Sequence, residues 1–246
     1  MSDEKLVVDD LIILGNAVPD IISDNRITVC TAGYSPSHGL IRIYPVPPSS
    51  PMRRWNIVRV PLERNHSDTC AESWKIQGSK SEWDKIVEKI ELKGKVDINN
   101  GQTILDDIYP EFGANCVEEL NDRKVSLGII KPASIECWLE RRTDYDMEMQ
   151  TTLEGNNPFK TIKNYDKKPV MSYRCSACQA KDSHKQQILE WGVFEWMRKN
   201  PSQPDKVFEN LHVTDDAYRK SLLVGNMARH RNSFMVISVF RFKLPS

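Results

Sequence analysis

The sequence predicts an α+β fold, with a small N-terminal β-barrel followed by a C-terminal α/β part that ends on a buried central strand. Three observations predict it. Residues 1–60 hold short β-rich runs joined by turns built from Ser, Pro and Gly. The run "HKQQILEWGVFEWMRK", residues 184–199, is apolar on nearly every side, as a buried helix is. Finally, "FMVISVFRF" carries large apolar side chains at both even and odd positions, so both faces of that strand must be covered. The division between the two parts is placed at residue 150, giving a barrel part with inserted helices over 1–150 and a helix/strand part over 151–246.

Each element has its own justification. "ITVCTAGY" and "LIRIYPV" are strands separated by the turn "SPSHG", and "PVPPSSP" holds too many prolines to join a ladder. "WNIVRVPLE" alternates, with Arg59 facing away from the apolar side. Several short strands joined this way suit an OB-like barrel, although other small barrels share the pattern. "SKSEWDKIVEKIELKGK" places Trp83, Ile86, Val87 and Ile90 on one helical stripe, with Ser79 or Ser81 as N-cap and Gly94 past the end. "QTILDDIYPEFGANCVEELNDR" reads as two short helices broken around Pro110 and Gly113, and "VSLGIIKPASIECWLERR" returns to strand. "TLEGNNPFKTIKNYDKKP" is polar and turn-rich, a linker or long loop. No internal repeat of useful length is visible.

Composition narrows the function classes. The chain has 246 residues, with 34 basic and 34 acidic side chains and a formal net charge of zero. It carries no signal peptide pattern and no apolar run near the roughly 20 residues of a membrane helix, so a cytoplasmic location and no membrane partner are expected. Charge is unevenly spread. No carboxylate follows Ala217, whereas Arg219, Lys220, Arg229, Arg231, Arg241 and Lys243 all do; Arg42, Arg53, Arg54, Arg59 and Arg64 face the single acid Glu63 between Leu40 and Arg64. Two basic stretches on a common face would make a phosphate-binding surface, against scattered solvated charge as the bland alternative.

Four groups of residues could carry chemistry. In "YRCSACQAKDSH", Cys175 and Cys178 have the spacing of a metal knuckle, with His184 six residues on. A zinc site needs a fourth ligand, which His230, His212, His66 or Cys70 could supply; Cys30, Cys116 and Cys137 read as buried reduced thiols. On a helical reading His184, Gln187, Trp191 and Glu195 share one stripe. "ARHRNS" sets Arg229, His230 and Arg231 at the mouth of the final strand, where His230 could act as general acid or base. Arg42, Tyr44, Arg54 and Arg59 interleave cations and aromatics on the barrel, the arrangement that holds single-stranded nucleic acid.

The segments "VCTAGY", "IRIYPVP", "ESWKI", "HKQQILEWG" and "VGNMARHRNSFMVISVF" resemble a family of uncharacterised prokaryotic proteins, similar to the dual-OB-containing domains of defence and mobile-element loci. The resemblance implies an OB-like N-terminal part and a role near nucleic acid, possessing no established catalytic residues. The first expectation is therefore a protein that binds nucleic acid or nucleotide phosphates through Arg42, Tyr44, Arg54 and Arg59 and through Arg229, His230 and Arg231. The second is a nuclease-type hydrolase with His184 and His230 as acid–base partners and Glu190 or Glu195 in support. The third is a non-enzymatic subunit docking a protein partner through "PVPPSSP" and the acidic middle.

Overall fold

Alternating apolar residues near the N-terminus form strands that curl into a closed barrel. The computed structural model describes residues 4–22, 26–68, 70–143, 159–175, 177–178, 180, 182–227 and 230–244. Five strands close the barrel: β1 (Lys5–Asn16), β3 (Ile27–Ser35), β4 (Gly39–Val46), β5 (Asn56–Arg64) and β6 (Ser73–Ile76). A short β2 (Asp20–Ile21) pairs with β3. The bulged β1 pairs antiparallel with β5 through its first part, from Lys5↔Glu63 to Ile12↔Ile57, and with β3 through its last, from Ile12↔Tyr34 to Asn16↔Thr31. Around the ring the order is β1–β3–β4–β6–β5, with β4 and β6 parallel at Arg42↔Ser73. Leu11, Ile13, Ile41, Ile43, Val60 and Leu62 fill the interior. The β3–β4 turn needs Gly39, whose φ of +71° is left-handed and whose Cβ would meet the Phe112 ring.

The predicted helix beginning at Ser79 or Ser81 does not form. Trp83–Lys89 is a 3-10 turn that pushes Ile86 onto the barrel core, and Glu91–Lys95 becomes β7, pairing with β5 from Asn56↔Lys95 to Arg59↔Glu91. The open edge of β5 outweighs the helical spacing. The two predicted short helices are present as α1 (Gly101–Phe112), which contains Pro110, and α2 (Val117–Asp122), with β8 (Gly113–Ala114) between them.

"VSLGIIKPASIECWLERR" forms β9 (Leu127–Ile130) and β10 (Pro132–Arg141), which run on from one another but pair in different sheets. β10 pairs with β11 (Lys167–Cys175), and β11 with β12 (His184–Gln187); β9 pairs with β13 (Tyr218–Met227), and β13 with β14 (His230–Lys243). A parallel bridge, Ile188↔Val236, joins the β12 end to β14, and the Leu189 N–H donates to the Val236 carbonyl at 2.7 Å. Followed around, the order is β9/β10–β11–β12–β14–β13 and back to β9. That is the winding of the first barrel, with its parallel contact in the corresponding place. The sheets part between residues 95 and 113, so β9 and β10, which precede residue 150, pair within the second half. The C-terminal part, expected as α/β, is built mainly of antiparallel strands. Much of the predicted linker lies outside the described residues; from residue 159 onward it includes the buried Tyr165 and leads into β11.

The predicted helix over 184–199 is also shorter than its pattern. His184–Gln187 is held as strand by β11, Glu190 is still extended, and only Trp191–Lys199 is helical, as α3. A short α4 (Val207–Asn210) follows. The all-round apolar character has another origin, since strand, turn and helix each bury a different side. β14 does have both faces covered. Phe234, Val236 and Val239 point into the second half's own core, while Ile237 and Phe240 join Leu14, Trp55, Leu105, Leu127, Ile129 and Leu223 in a core between the halves. Polar pegs register that interface. The Arg42 guanidinium donates to the Ser126 carbonyl at 2.8 Å, the Ser126 N–H and hydroxyl donate to Glu72, and Ser238 donates to the Leu14 carbonyl. Gly15 permits this approach: a Cβ there would lie 2.4 Å from the Ser238 hydroxyl.

Candidate metal centre and a cationic cleft

Four side chains from separate segments converge beside the β11–β12 hairpin. Cys175 ends β11, Cys178 lies in the hairpin connection, His184 opens β12, and Cys116 sits at the entry to α2. Their ligand atoms all lie within 4.8 Å of one another. The Cys116 sulfur is 3.3 Å from that of Cys178, and His184 Nε2 is 3.2 Å from both. The His184 ring rests against the buried Tyr173 ring, with centroids 5.5 Å apart, which limits its orientation. The Ala180 N–H donates to the Cys178 sulfur at 3.3 Å. Burial raises the thiol pKa of Cys116 and pushes that of Cys175 up to about 12; the Cys178 thiol adds to both rises, while backbone N–H groups of Glu118 and Val117 oppose them at Cys116 and Cys175 respectively.

Cys175, Cys178 and His184, expected from the sequence to act together, do converge, and the fourth side chain beside them is Cys116 rather than His230, His212, His66 or Cys70. His212 stacks on Tyr218, Cys70 lies by Arg42 and Asp68, and Cys116, read as an inert buried thiol, completes the group. Cys116 is 62 residues from Cys178, and nothing local in "GANCVEEL" marks it as a ligand.

A second feature is a cavity of about 470 Å³ where the first barrel meets α3. Asn16 at the end of β1, Arg53 and Arg54 from the β4–β5 connection, and Glu190, Trp191, Glu195 and Arg198 line it, with Phe159 edge-on to Trp191. Two of its arginines are neutralised. Arg54 pairs with the buried Glu190, and Arg198 is held by both oxygens of Glu195. Arg53 has no carboxylate partner among the described residues; it donates to the Pro48 carbonyl and its guanidinium lies 4.8 Å over the Trp191 ring. Burial lowers its pKa, yet an arginine stays charged at neutral pH. The Trp191 indole N–H is buried there without a hydrogen-bond partner among the described residues.

Among the described residues the expected positive surface does not assemble. Arg42 is 5 % exposed and spent on Ser126, with Asp68 at 3.9 Å; Arg54 is spent on Glu190 and the Val239 carbonyl, and Arg59 on Asp9. The cause is packing: β4 and the loop after it face the second half rather than solvent. Tyr44 is half-buried, and burial pushes its phenol up to about 12. Arg229 lies outside the described residues, and Arg231 lines a separate cavity of about 280 Å³ beside Asn226 and Ser126. The hydrolase quartet is not brought together either. His184 is engaged by two sulfurs, Glu190 by Arg54 and the Val239 N–H, and Glu195 by Arg198, whereas His230 is exposed at the start of β14. The helical stripe expected to join His184 to Glu195 is broken by the strand geometry of β12. "PVPPSSP" is largely buried and presents little docking surface. Among the described residues no helix is long and apolar enough to cross a membrane.

Two family models match the chain: Domain of unknown function (DUF8758) over residues 8–104 and Domain of unknown function (DUF8757) over residues 114–245. No curated protein matches it.

Proposed function

The chain belongs to the family described as Domain of unknown function (DUF8757), and we propose that this member is a binding protein for nucleotide phosphates, free or carried on a single nucleic-acid strand. The carrying observation is the cleft, in which Arg53, the one lining arginine without a carboxylate partner among the described residues, sits beside the unsatisfied Trp191 N–H and two aromatic rings. A cation beside aromatic rings suits a ligand with both a phosphate and a planar base. The volume of about 470 Å³ is that of a small-molecule site.

The strand winding supports the same reading. We take both rings to be OB-like, a barrel type that holds oligonucleotides on one sheet face and its connecting loops. Asn16 stands where the chain leaves β1 for β3, at the mouth of one such connection.

Titration of the whole chain tests the proposal, following Trp fluorescence with AMP and UMP and polarisation with labelled single-stranded DNA and RNA. Binding is expected to weaken with salt, steeply for an oligonucleotide and less so for a mononucleotide. Arg53→Ala is expected to weaken it by about tenfold or more, since a charge-assisted contact contributes roughly 1.5–3 kcal/mol. Saturation by mononucleotides alone identifies a free nucleotide; saturation by oligonucleotides alone identifies a strand. The absence of binding by either class, or binding indifferent to Arg53→Ala, overturns the proposal.

A further inference from the structure

The geometry points to a structural zinc centre formed by Cys116, Cys175, Cys178 and His184, which clamps the segment entering α2 to the β11–β12 hairpin. Its ligand atoms come from three places in the chain yet lie within 4.8 Å of one another. Tetrahedral zinc with Zn–S near 2.3 Å and Zn–N near 2.0–2.1 Å needs S···S of about 3.8 Å and S···N of roughly 3.6 Å. The present separations of 3.3 and 3.2 Å require the atoms to part by about half an ångström. A cavity of about 30 Å³ opens beside three of the four ligands, Cys175, Cys178 and His184.

Several alternatives fit less well. A Cys116–Cys178 disulfide would leave a third thiol and an imidazole packed against it without purpose. Ligand atoms this close surround a single ion and not a multi-iron cluster. Four protein ligands with none left open mark a structural rather than a catalytic site. The thiolate-rich donor set favours zinc over the oxygen-seeking magnesium, calcium and manganese. The Ala180 N–H directed at Cys178 is the kind of outer hydrogen bond that steadies a metal-bound thiolate.

Binding displaces one proton from each thiol to the buffer, and neutral His184 donates through Nε2, so the centre carries a formal charge of −1. The metal makes a cross-link where folding otherwise relies on the short α2 and a hairpin tip. This inference stands apart from the cleft: the cluster and the cleft share no lining residue.

The test is elemental analysis of the full chain purified without added metal, together with cobalt substitution. One equivalent of zinc per chain is expected, with Cys116→Ser and Cys178→Ser each losing most of it and Cys137→Ser keeping it. Cobalt in the unaltered chain is expected to give the visible absorption of a tetrahedral thiolate site, a readout independent of whether the serine variants fold. A chain that purifies with little metal and shows no such cobalt spectrum overturns the inference. So does a Cys116→Ser variant that keeps a full equivalent, since the fourth ligand would then lie elsewhere.

Discussion

Glu190 is expected to hold the two halves together, and its removal measures that role. The residue is 5 % exposed, its carboxylate accepts the Val239 N–H at 2.7 Å and pairs with Arg54, and Val239 itself is fully buried. Glu190→Ala strands the Val239 N–H in the interior, which costs about 1–3 kcal/mol. It also removes the partner of an arginine whose side chain is 27 % exposed, a loss that solvent screening holds to roughly 0.5–1 kcal/mol. The sum is about 1.5–4 kcal/mol, or a fall in Tm of roughly 3–16 °C for a chain of this size. Glu190→Gln keeps an oxygen for the Val239 N–H and is expected to lose about half as much. Urea unfolding at fixed pH, followed by Trp fluorescence and circular dichroism, gives both values with the slope as a check on two-state behaviour. A Glu190→Ala protein within about 0.5 kcal/mol of the parent refutes this account, because that is the range of a free surface side chain.

Two further outcomes follow from the packing and the charge pairs. Phe240→Ala empties a site 5.5 Å from the Trp55 ring in the core between the halves, and urea unfolding is expected to show a loss of about 3–5 kcal/mol; a loss below about 1 kcal/mol refutes that burial. Glu140, held by hydrogen bonds from Lys185, Trp138 and Lys168, has its carboxyl lowered from 4.5 to about 2. A folded value below the unfolded one contributes stability above pH 4.5 that is lost as the pH falls toward 2, so Glu140→Gln is expected to flatten the acid limb of the stability curve; a limb of unchanged slope counts against the network.

Local patterns were legible wherever one element decides its own fate. The alternation in "WNIVRVPLE" and the turn "SPSHG" give β5 and the β3–β4 connection directly, and two-sided apolar character marks β14 as covered on both faces. What stayed hidden depends on partners far along the chain. Arg42 reads as a surface cation until the Ser126 carbonyl, 84 residues later, is seen to accept its hydrogen bond. Edge pairing with β5 and β11 drew part of each of two helical patterns into strand, because ladder pairing satisfies backbone groups that spacing alone does not record. Cys175 and Cys178 announce themselves by their spacing; Cys116 is recognisable only once folding delivers it.

A strand whose two sides close two different interiors makes the halves structurally interdependent. Peeling β14 away to open one of them strips the lid from the other, so heating should melt the molecule in a single step. A protein carrying only the C-terminal half must find a replacement cover for Leu223, Ile237 and Phe240, or leave that oily wall in water.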